Sequence, residues 1–321
     1  MLHRFRIAHH FGSDTVRVLA GHPAIGELRQ VDLSRRWDLP TDVDIVFALH
    51  APVHSNEHEV PPPSGWPGSV RFVQTASAGR DGYPAWMFEG PVVATAAGTG
   101  AAPIAEYALA AILLHEKRLP EMFLRKGDWT PQSELVKRPL GGLEGRTLGL
   151  LGLGHIGSRV ARLGAAFGMK VIAHRRSAKP SPTPDVTLVD MNDLLTRADH
   201  LIIAVPLTQE TAGMIGSVAL ALVKPSLHIV NVARGAIIDT AALTAALYEG
   251  RIAGATLDVT DPEPLPMGHP LWSAPNIRIT PHMAWSSADT PRRIFRLLTD
   301  NIEKFARGEP LINQVSPVAD T

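Results

Sequence analysis

The chain has no cysteine among its 321 residues. Disulfides, thiolate catalysis and cysteine-ligated metal sites are therefore excluded. It also has no net charge. Its 31 lysines and arginines balance 31 aspartates and glutamates, so no long-range field favours nucleic acid or an anionic membrane as a partner. No apolar run approaches the roughly 20 residues that a membrane span needs. Residues 1–6 lack the apolar core of a signal peptide. Internal repeats and low-complexity tracts are missing too. The 14 histidines show no H-E-x-x-H or similar ligand spacing, so no metal is expected. What remains is the composition of a globular protein, 45% hydrophobic and 19% charged. It is long enough for two domains of ordinary size, and is expected in the cytoplasm.

Along residues 1–100, short strand-like runs alternate with turn-rich segments. Residues 43–49 and 70–75 read as buried strands. Between them the proline- and glycine-rich stretch 61–68 holds neither helix nor central strand. From Pro103 to about Lys126 a helical pattern takes over, with Ile104, Tyr107, Ala108, Ala111, Ile112 and Leu114 near a 3.6-residue period. Further apolar strands follow at 147–151, 170–173, 200–205, 227–232, 253–258 and 277–280, mostly separated by helical stretches such as 240–249. A final amphipathic helix follows Thr290 and carries Ile294, Leu297, Leu298, Ile302 and Phe305. Apolar strands alternating with helices predict an α/β fold of doubly wound parallel sheets covered on both faces.

Gly152-Leu153-Gly154-His155-Ile156-Gly157 follows the strand at 147–151 and opens an amphipathic helix with Ile156, Val160, Leu163 and Phe167 at helical spacing. A bare G-x-G-x-x-G is weak evidence, but here strand, loop, helix and second strand stand in the order that a dinucleotide site requires. The helix N-terminus then faces the phosphates. One expected residue is missing. About 20 residues after such a loop an acid normally meets the adenosine ribose; here His174, Arg175, Arg176 and Ser177 stand instead. A guanidinium there forks to a 2′-phosphate that a carboxylate repels. NADP(H) is therefore the preferred cofactor expected from the residues, with NAD(H) possible.

Three downstream segments each end a strand, the edge where ligands gather in an open α/β sheet. They are residues 231–239 with Arg234, residues 257–272 with Asp258 and Glu263, and Thr280-Pro281-His282-Met283-Ala284-Trp285. With these in place the chain resembles the D-isomer-specific 2-hydroxyacid dehydrogenase family, from about Pro103 to Ser287 and more loosely to both ends. The resemblance implies two Rossmann-like or flavodoxin-like domains with an active-site cleft between them. Residues 1–100 plus 286–321 would form the substrate-binding domain and residues 101–285 the NAD(P)-binding domain. It implies Arg234 as the arginine that binds the substrate carboxylate and polarises the keto group, since a planar fork matches adjacent carboxylate and carbonyl oxygens. His282 is implied as general acid/base. Glu263 is implied as its orienting partner; a carboxylate beside an imidazole favours the imidazolium and would keep a proton available for reduction near neutral pH. Asp258 resembles the family acid near the nicotinamide carboxamide. The expected cofactor contacts also include Gly152, Gly154, His155, Ile156, Gly157, Arg175, Arg176, Ser177, Val205, Pro206, Thr211, Val232 and Ala233.

On the substrate side, Ala76-Ser77-Ala78-Gly79-Arg80-Asp81 resembles the family loop whose N–H groups meet the substrate carboxylate, with Ala78 and Gly79 as contacts. Arg80 departs from the apolar residue common there and either adds positive charge to the cleft or points to solvent. His50 reads as a loop residue. Trp285, three residues past His282, is expected to wall the substrate site and limit substrate size, and the His-Met-Ala-Trp variant resembles glycerate dehydrogenase and hydroxypyruvate reductase members, which favours small substrates such as glyoxylate or hydroxypyruvate. The resemblance further implies a homodimer through the helix that begins near Pro103. A nucleotide-sensing corepressor of the same fold is the rival, and a chain that stops at Thr321, soon after its last helix, argues against it. An amino-acid dehydrogenase would need a catalytic lysine, and none of the three segments contains one.

Overall fold

In the computed structural model, residues 4–51, 58–123, 137, 139–176, 180–181 and 183–315 are described. Short apolar runs form strands and the longer periodic stretches form helices. In chain order these are β1 Phe5–His9, α1 Ser13–Ala20, β2 Ile25–Gln30, β3 Ile45–Ala48, β4 Phe72–Thr75, β5 Val92–Ala94, α2 Ala101–Glu116, α3 Leu119–Met122, β6 Thr147–Leu151, α4 His155–Ala166 and β7 Lys170–His174. They continue with β8 Val186–Leu188, α5 Met191–Arg197, β9 His200–Ile203, α6 Ser217–Leu220, β10 His228–Asn231, α7 Thr240–Tyr248, β11 Gly254–Leu257, β12 Ile277–Ile279, α8 Thr290–Ala306 and β13 Gln314–Val315. The chain divides into two units, one of residues 1–100 with 287–321 and the other of residues 101–286.

The first unit holds a sheet in the order β13-β5-β4-β3-β1-β2. Its strands are parallel except β13, which lies antiparallel on β5. The order of its first five strands is the flavodoxin-like 2-1-3-4-5, with a topological switch point between β1 and β3. Alternate residues of each strand supply opposite faces. Ile7, Ile45, Phe47 and Phe72 pack with Leu19 of α1 and Phe295, Leu298 and Ile302 of α8. Ala8, Val46, Ala48 and Val73 pack with Trp37, Tyr83, Trp86 and Met87. One polar link ties α8 to this sheet. The buried Asn301 donates to Gln74 Oε1 at 2.8 Å and accepts from Ile312 N at 2.7 Å.

The second unit holds an all-parallel sheet in the order β12-β11-β10-β9-β6-β7-β8. Counted within the unit this is 7-6-5-4-1-2-3, the dinucleotide-binding arrangement, with its switch point between β6 and β9. Leu148 and Leu150 of β6 pack under Ala105, Ala108, Leu109 and Ile112 of α2 and Val160 and Ala161 of α4. On the other face, Leu201 and Ile203 of β9 meet Leu194 and Leu195 of α5, Leu220 of α6, and Leu243 and Leu247 of α7. Both faces are thus covered, as near-continuous apolar strands require. Among the described residues no helix is long and apolar enough to cross a membrane.

The helix expected from Pro103 to about Lys126 differs in extent. It starts at Ala101 and ends at Glu116. Arg118 takes a left-handed backbone, φ 47°, and Pro120 opens the short α3; a proline lacks the N–H that would continue the helix. Residues 124–126 lie outside those described.

Candidate active site

The glycine loop is shaped by three glycines with different reasons. Gly152 takes φ 102°, and a Cβ there would lie 2.6 Å from the Ala204 carbonyl oxygen. At Gly157 a Cβ would collide with the Gly152 carbonyl oxygen, so close approach of α4 to β6 requires glycine. Nothing lies within 4 Å of a Cβ built on Gly154. The protein's own packing does not demand glycine there. Bare backbone at the start of α4 is what a pyrophosphate needs to approach the N–H groups of His155, Ile156 and Gly157, the orphan donors of the first turn. A dinucleotide therefore fits this loop on its own geometry. Val205, two residues beyond β9, stands across the switch point where its Cγ1 would lie 2.9 Å from a Cβ on Gly152. In the following loop the Thr211 hydroxyl donates to Pro206 O at 2.7 Å and accepts from Thr208 N at 2.8 Å.

The end of β7 is tied to the glycine loop, because Gly152 N donates to His174 O at 2.9 Å. The His174 ring binds Val189 O through Nδ1 at 3.1 Å. Arg175 is half-buried and Arg176 is exposed. Arg176 Nη1 stands 3.7 Å from Glu210 Oε2, with both side chains about three-quarters exposed. Such a pair is worth less than about 1 kcal/mol. Ser177, the remaining residue expected to meet a 2′-phosphate, lies outside the described residues.

The loop after β10 presents Arg234. Buried Asn231 braces it, donating from Nδ2 to Arg234 O at 2.8 Å and accepting from Ala233 N at 3.0 Å. Val232 and Ala233 are buried beside it. The Arg234 guanidinium donates to Ala233 O at 2.7 Å. After β11, Glu263 Oε1 lies 2.7 Å from His282 Nδ1. The side chains are 30% exposed for His282 and 26% for Glu263, so both are shielded yet reachable. Burial opposes the Glu263 charge. The His282 hydrogen bond, the Thr260 N–H and the charges of His282 and Arg234 outweigh it and hold the carboxyl below its ordinary pKa. With Glu263 ionised, Nδ1 carries the proton donated to it, and Nε2 is the nitrogen left for proton exchange.

His282 itself sits in the left-handed backbone region, φ 56°, a conformation that a residue with a Cβ adopts only when its surroundings enforce it. The enforcing group is Asp258, 3% exposed. Its carbonyl accepts from His282 N at 2.9 Å. Its carboxylate accepts from Met283 N and Ala284 N, both at 2.9 Å, and from Thr280 Oγ1 at 2.7 Å. Thr280 Oγ1 lies 2.6 Å from the Tyr107 hydroxyl of α2. Burial, and then the Asp258 charge, raise the Tyr107 pKa against the effect of the Thr280 bond, which keeps the phenol protonated. On the far side, Trp285 Nε1 donates to His282 O at 2.9 Å.

The second unit thus brings Arg234, Asp258, Glu263, His282 and Trp285 together with the glycine loop on one chain unit. Ala78 and Gly79 belong to the first unit. There Ser77 Oγ donates to Gly79 O at 2.8 Å and Ala96 N to Ser77 O at 2.9 Å, which fixes the loop after β4. Arg80 does not extend freely; its guanidinium stands over the Phe88 ring, 5.2 Å from the centroid. Four residues of this architecture carried no role in the sequence reading: Tyr107, Glu210, Asn231 and Thr280. Asn231 and Thr280 lie inside the quoted strand-end segments, so their position was visible and only their partners were not.

Residues 109–284 match the sequence family described as D-isomer specific 2-hydroxyacid dehydrogenase, NAD binding domain. The chain belongs to this family. A glyoxylate reductase of Aeropyrum pernix is 41% identical over 220 residues, 66% of this chain and 65% of that protein. The match thus spans just under two thirds of that relative's length. Among solved structures, a D-isomer specific 2-hydroxyacid dehydrogenase of Xanthobacter autotrophicus in complex with NADPH and MES is 28% identical. It superposes with a TM-score of 0.78 over 98% of each chain. An NADPH-dependent glyoxylate/hydroxypyruvate reductase of Sinorhizobium meliloti is 29% identical, with a TM-score of 0.76 over 98% of each chain. The matched residues 109–284 lie within the second unit, which also holds the glycine loop and the Glu263–His282 pair.

Proposed function

We propose that this 2-hydroxyacid dehydrogenase family member reduces small 2-keto acids, such as glyoxylate or hydroxypyruvate, to D-2-hydroxy acids, with NADPH preferred over NADH. The observation that carries the reading is the 2.7 Å bond from His282 Nδ1 to Glu263, which leaves Nε2 as a proton donor on the same sheet edge as a dinucleotide-shaped loop. Support for the substrate comes from the small-acid reductases among its relatives.

In this reading Gly152, Gly154, His155, Ile156 and Gly157 hold the pyrophosphate, and Val205, Pro206, Thr211, Val232, Ala233 and Asp258 line the path to the nicotinamide. The bound reduced nicotinamide supplies a hydride to the keto carbon. Arg234 forks to the substrate carboxylate and keto oxygen, aligning and polarising the carbonyl. His282 gives its Nε2 proton to the carbonyl oxygen as that oxygen becomes an alkoxide, and recovers a proton from solvent afterwards. Glu263 holds the ring's orientation and balances the imidazolium charge. Ala78 and Gly79 offer N–H groups to the carboxylate, and Trp285 limits substrate size. The unit of residues 101–286 then acts as the cofactor domain and the other as the substrate domain, in a homodimer.

NADPH preference rests on Arg175 and Arg176. Arg176 would exchange its weakly held Glu210 for a doubly charged 2′-phosphate, because an exposed pair contributes little and a guanidinium can give a phosphate two parallel hydrogen bonds. A panel of 2-keto acids assayed with both cofactors tests the whole proposal. The expected result is turnover with two- and three-carbon keto acids and a kcat/KM for NADPH at least about tenfold above NADH, the worth of one charged hydrogen bond. Equal or better values with NADH contradict the preference, and cofactor binding without turnover of any keto acid points to a nucleotide sensor.

A further inference from the structure

The acid/base histidine stands on a strained backbone, and what holds it there leads away from the site. The three N–H groups of His282, Met283 and Ala284 all converge on Asp258, through its carbonyl and its two carboxylate oxygens. Asp258 Oδ1 also takes the Thr280 hydroxyl at 2.7 Å. A threonine hydroxyl has one proton, and here it is spent on a carboxylate. The 2.6 Å contact between Thr280 Oγ1 and Tyr107 therefore has only one polarity: the tyrosine donates and the threonine accepts. The result is a directed chain, Tyr107 O–H to Thr280 O–H to Asp258 to the backbone of His282, in which each bond polarises the next. It runs from the middle of α2 to the loop after β12, between residues 173 apart in sequence.

We infer that Tyr107 and Thr280 are positioning residues for the reaction at His282, acting through Asp258. The inference rests on His282 being the proton donor. Asp258 clamps the left-handed turn that presents the imidazole to Glu263, and the two hydroxyls fix the orientation of the clamp. Three other charged or titratable groups belong to this surround: Glu263, Arg234 and Asp258 itself.

Three variants test it: Tyr107→Phe, Thr280→Val and Thr280→Ser. Each is measured for kcat and KM in keto-acid reduction, for thermal midpoint, and for the His282 Nδ1–H resonance by NMR in the cofactor-free protein, assigned by its loss in His282→Ala. A net hydrogen bond of about 1 kcal/mol predicts that Tyr107→Phe lowers kcat roughly 3- to 10-fold with KM changed by less than about twofold. Thr280→Val should do the same or more, and Thr280→Ser should restore wild-type values. When the clamp loosens, the bond from His282 Nδ1–H to Glu263 weakens, so the Nδ1–H resonance moves upfield in the Phe and Val variants and not in the Ser variant. Variants that lower the thermal midpoint but leave both kcat and the Nδ1–H resonance unchanged would show a purely structural contact and overturn the inference. So would wild-type behaviour throughout. If the wild-type protein turns over no keto acid, the activity reading fails, while the Nδ1–H resonance still decides whether the two hydroxyls position His282.

Discussion

At the scale of single residues, the proposed function separates a group that moves a proton from groups that only place it. His282 exposes Nε2 because Glu263 occupies Nδ1, and Glu263 stays ionised because its hydrogen bonds and the neighbouring cations outweigh its burial. Arg234 does a different task. Its backbone is locked by Asn231, and in the proposed reading its guanidinium meets the substrate carboxylate. Truncation to alanine is expected to raise KM for the keto acid by about 10- to 100-fold, the range of a charged hydrogen bond, and to lower kcat as well. Arg234→Lys should recover only part, because an ammonium cannot fork. Steady-state kinetics of both variants check this, and an unchanged KM in Arg234→Ala would remove Arg234 from substrate binding. The placement of these three residues was legible in the sequence because each follows an apolar strand in a fixed order behind the glycine loop. The Tyr107–Thr280 contact was not, since tyrosine at 107 fits the apolar period of α2 and nothing local records a partner 173 residues away. Glu210 was equally hidden, because a carboxylate in an exposed loop carries no periodic signal.

At the scale of elements, the α4 N-terminus illustrates how a glycine pattern becomes a binding site. Gly157 allows α4 to meet the Gly152 carbonyl, a backbone atom that cannot yield as a flexible side chain would. Gly157→Ala should therefore destabilise the protein by about 2 kcal/mol or more and weaken dinucleotide binding at the displaced helix start. Denaturant unfolding and a cofactor fluorescence titration read the two effects. Unchanged binding in a folded variant would dissociate α4 from the cofactor. Strand positions in the second unit were readable because runs such as Thr147–Leu151 are apolar on both faces and bounded by glycine or charge. Their ends were less so. The strand read at 200–205 ends at Ile203, with one further bond from Ala204 N to Leu151 O at 2.8 Å. In the first unit β1, β2 and β5 escaped notice individually. β2, Ile25–Gln30, alternates polar residues along its length, as expected of a sheet edge, and so lacks the apolar run that marks a central strand.

At the scale of the whole molecule, each unit carries buried histidines that bear on stability rather than on the reaction. In the first, His10 is pushed down to about 4 by burial, with further effects from Arg36 and His9 around it. Its ring accepts from Leu49 N and binds Arg36 O, joining the loops after β1 and β3. In the second, His115 stacks on His228 with ring centroids 4.1 Å apart. His200, Glu116 and Arg278 stand around them. Burial lowers His115 to about 4 and His228 well below its ordinary value, reinforced by the neighbouring imidazoles and Arg278. These folded-state values lie below the unfolded value of 6.5. The unfolded chain therefore binds protons that the folded chain refuses, and stability is full above pH 6.5 and falls as the pH drops from there toward 4. After discounting for the partial exposure of His115, the combined loss is on the order of a few kcal/mol. Denaturant unfolding between neutral pH and pH 4.5 measures it, and a flat profile would contradict the burial of these rings. The parallel α/β character was foreseen from the alternation of strands and helices, and the two domains from the family resemblance, but strand orders and registers come only from pairing in three dimensions.

The central claim is that His282 donates the proton that accompanies hydride transfer to a 2-keto acid. It is tested most directly by comparing wild-type protein and His282→Ala in the oxidation of NADPH with glyoxylate and hydroxypyruvate. Loss of general acid catalysis predicts a kcat lower by about 10²- to 10⁴-fold in a variant that still folds and still binds NADPH. Near-normal turnover in that variant would contradict it.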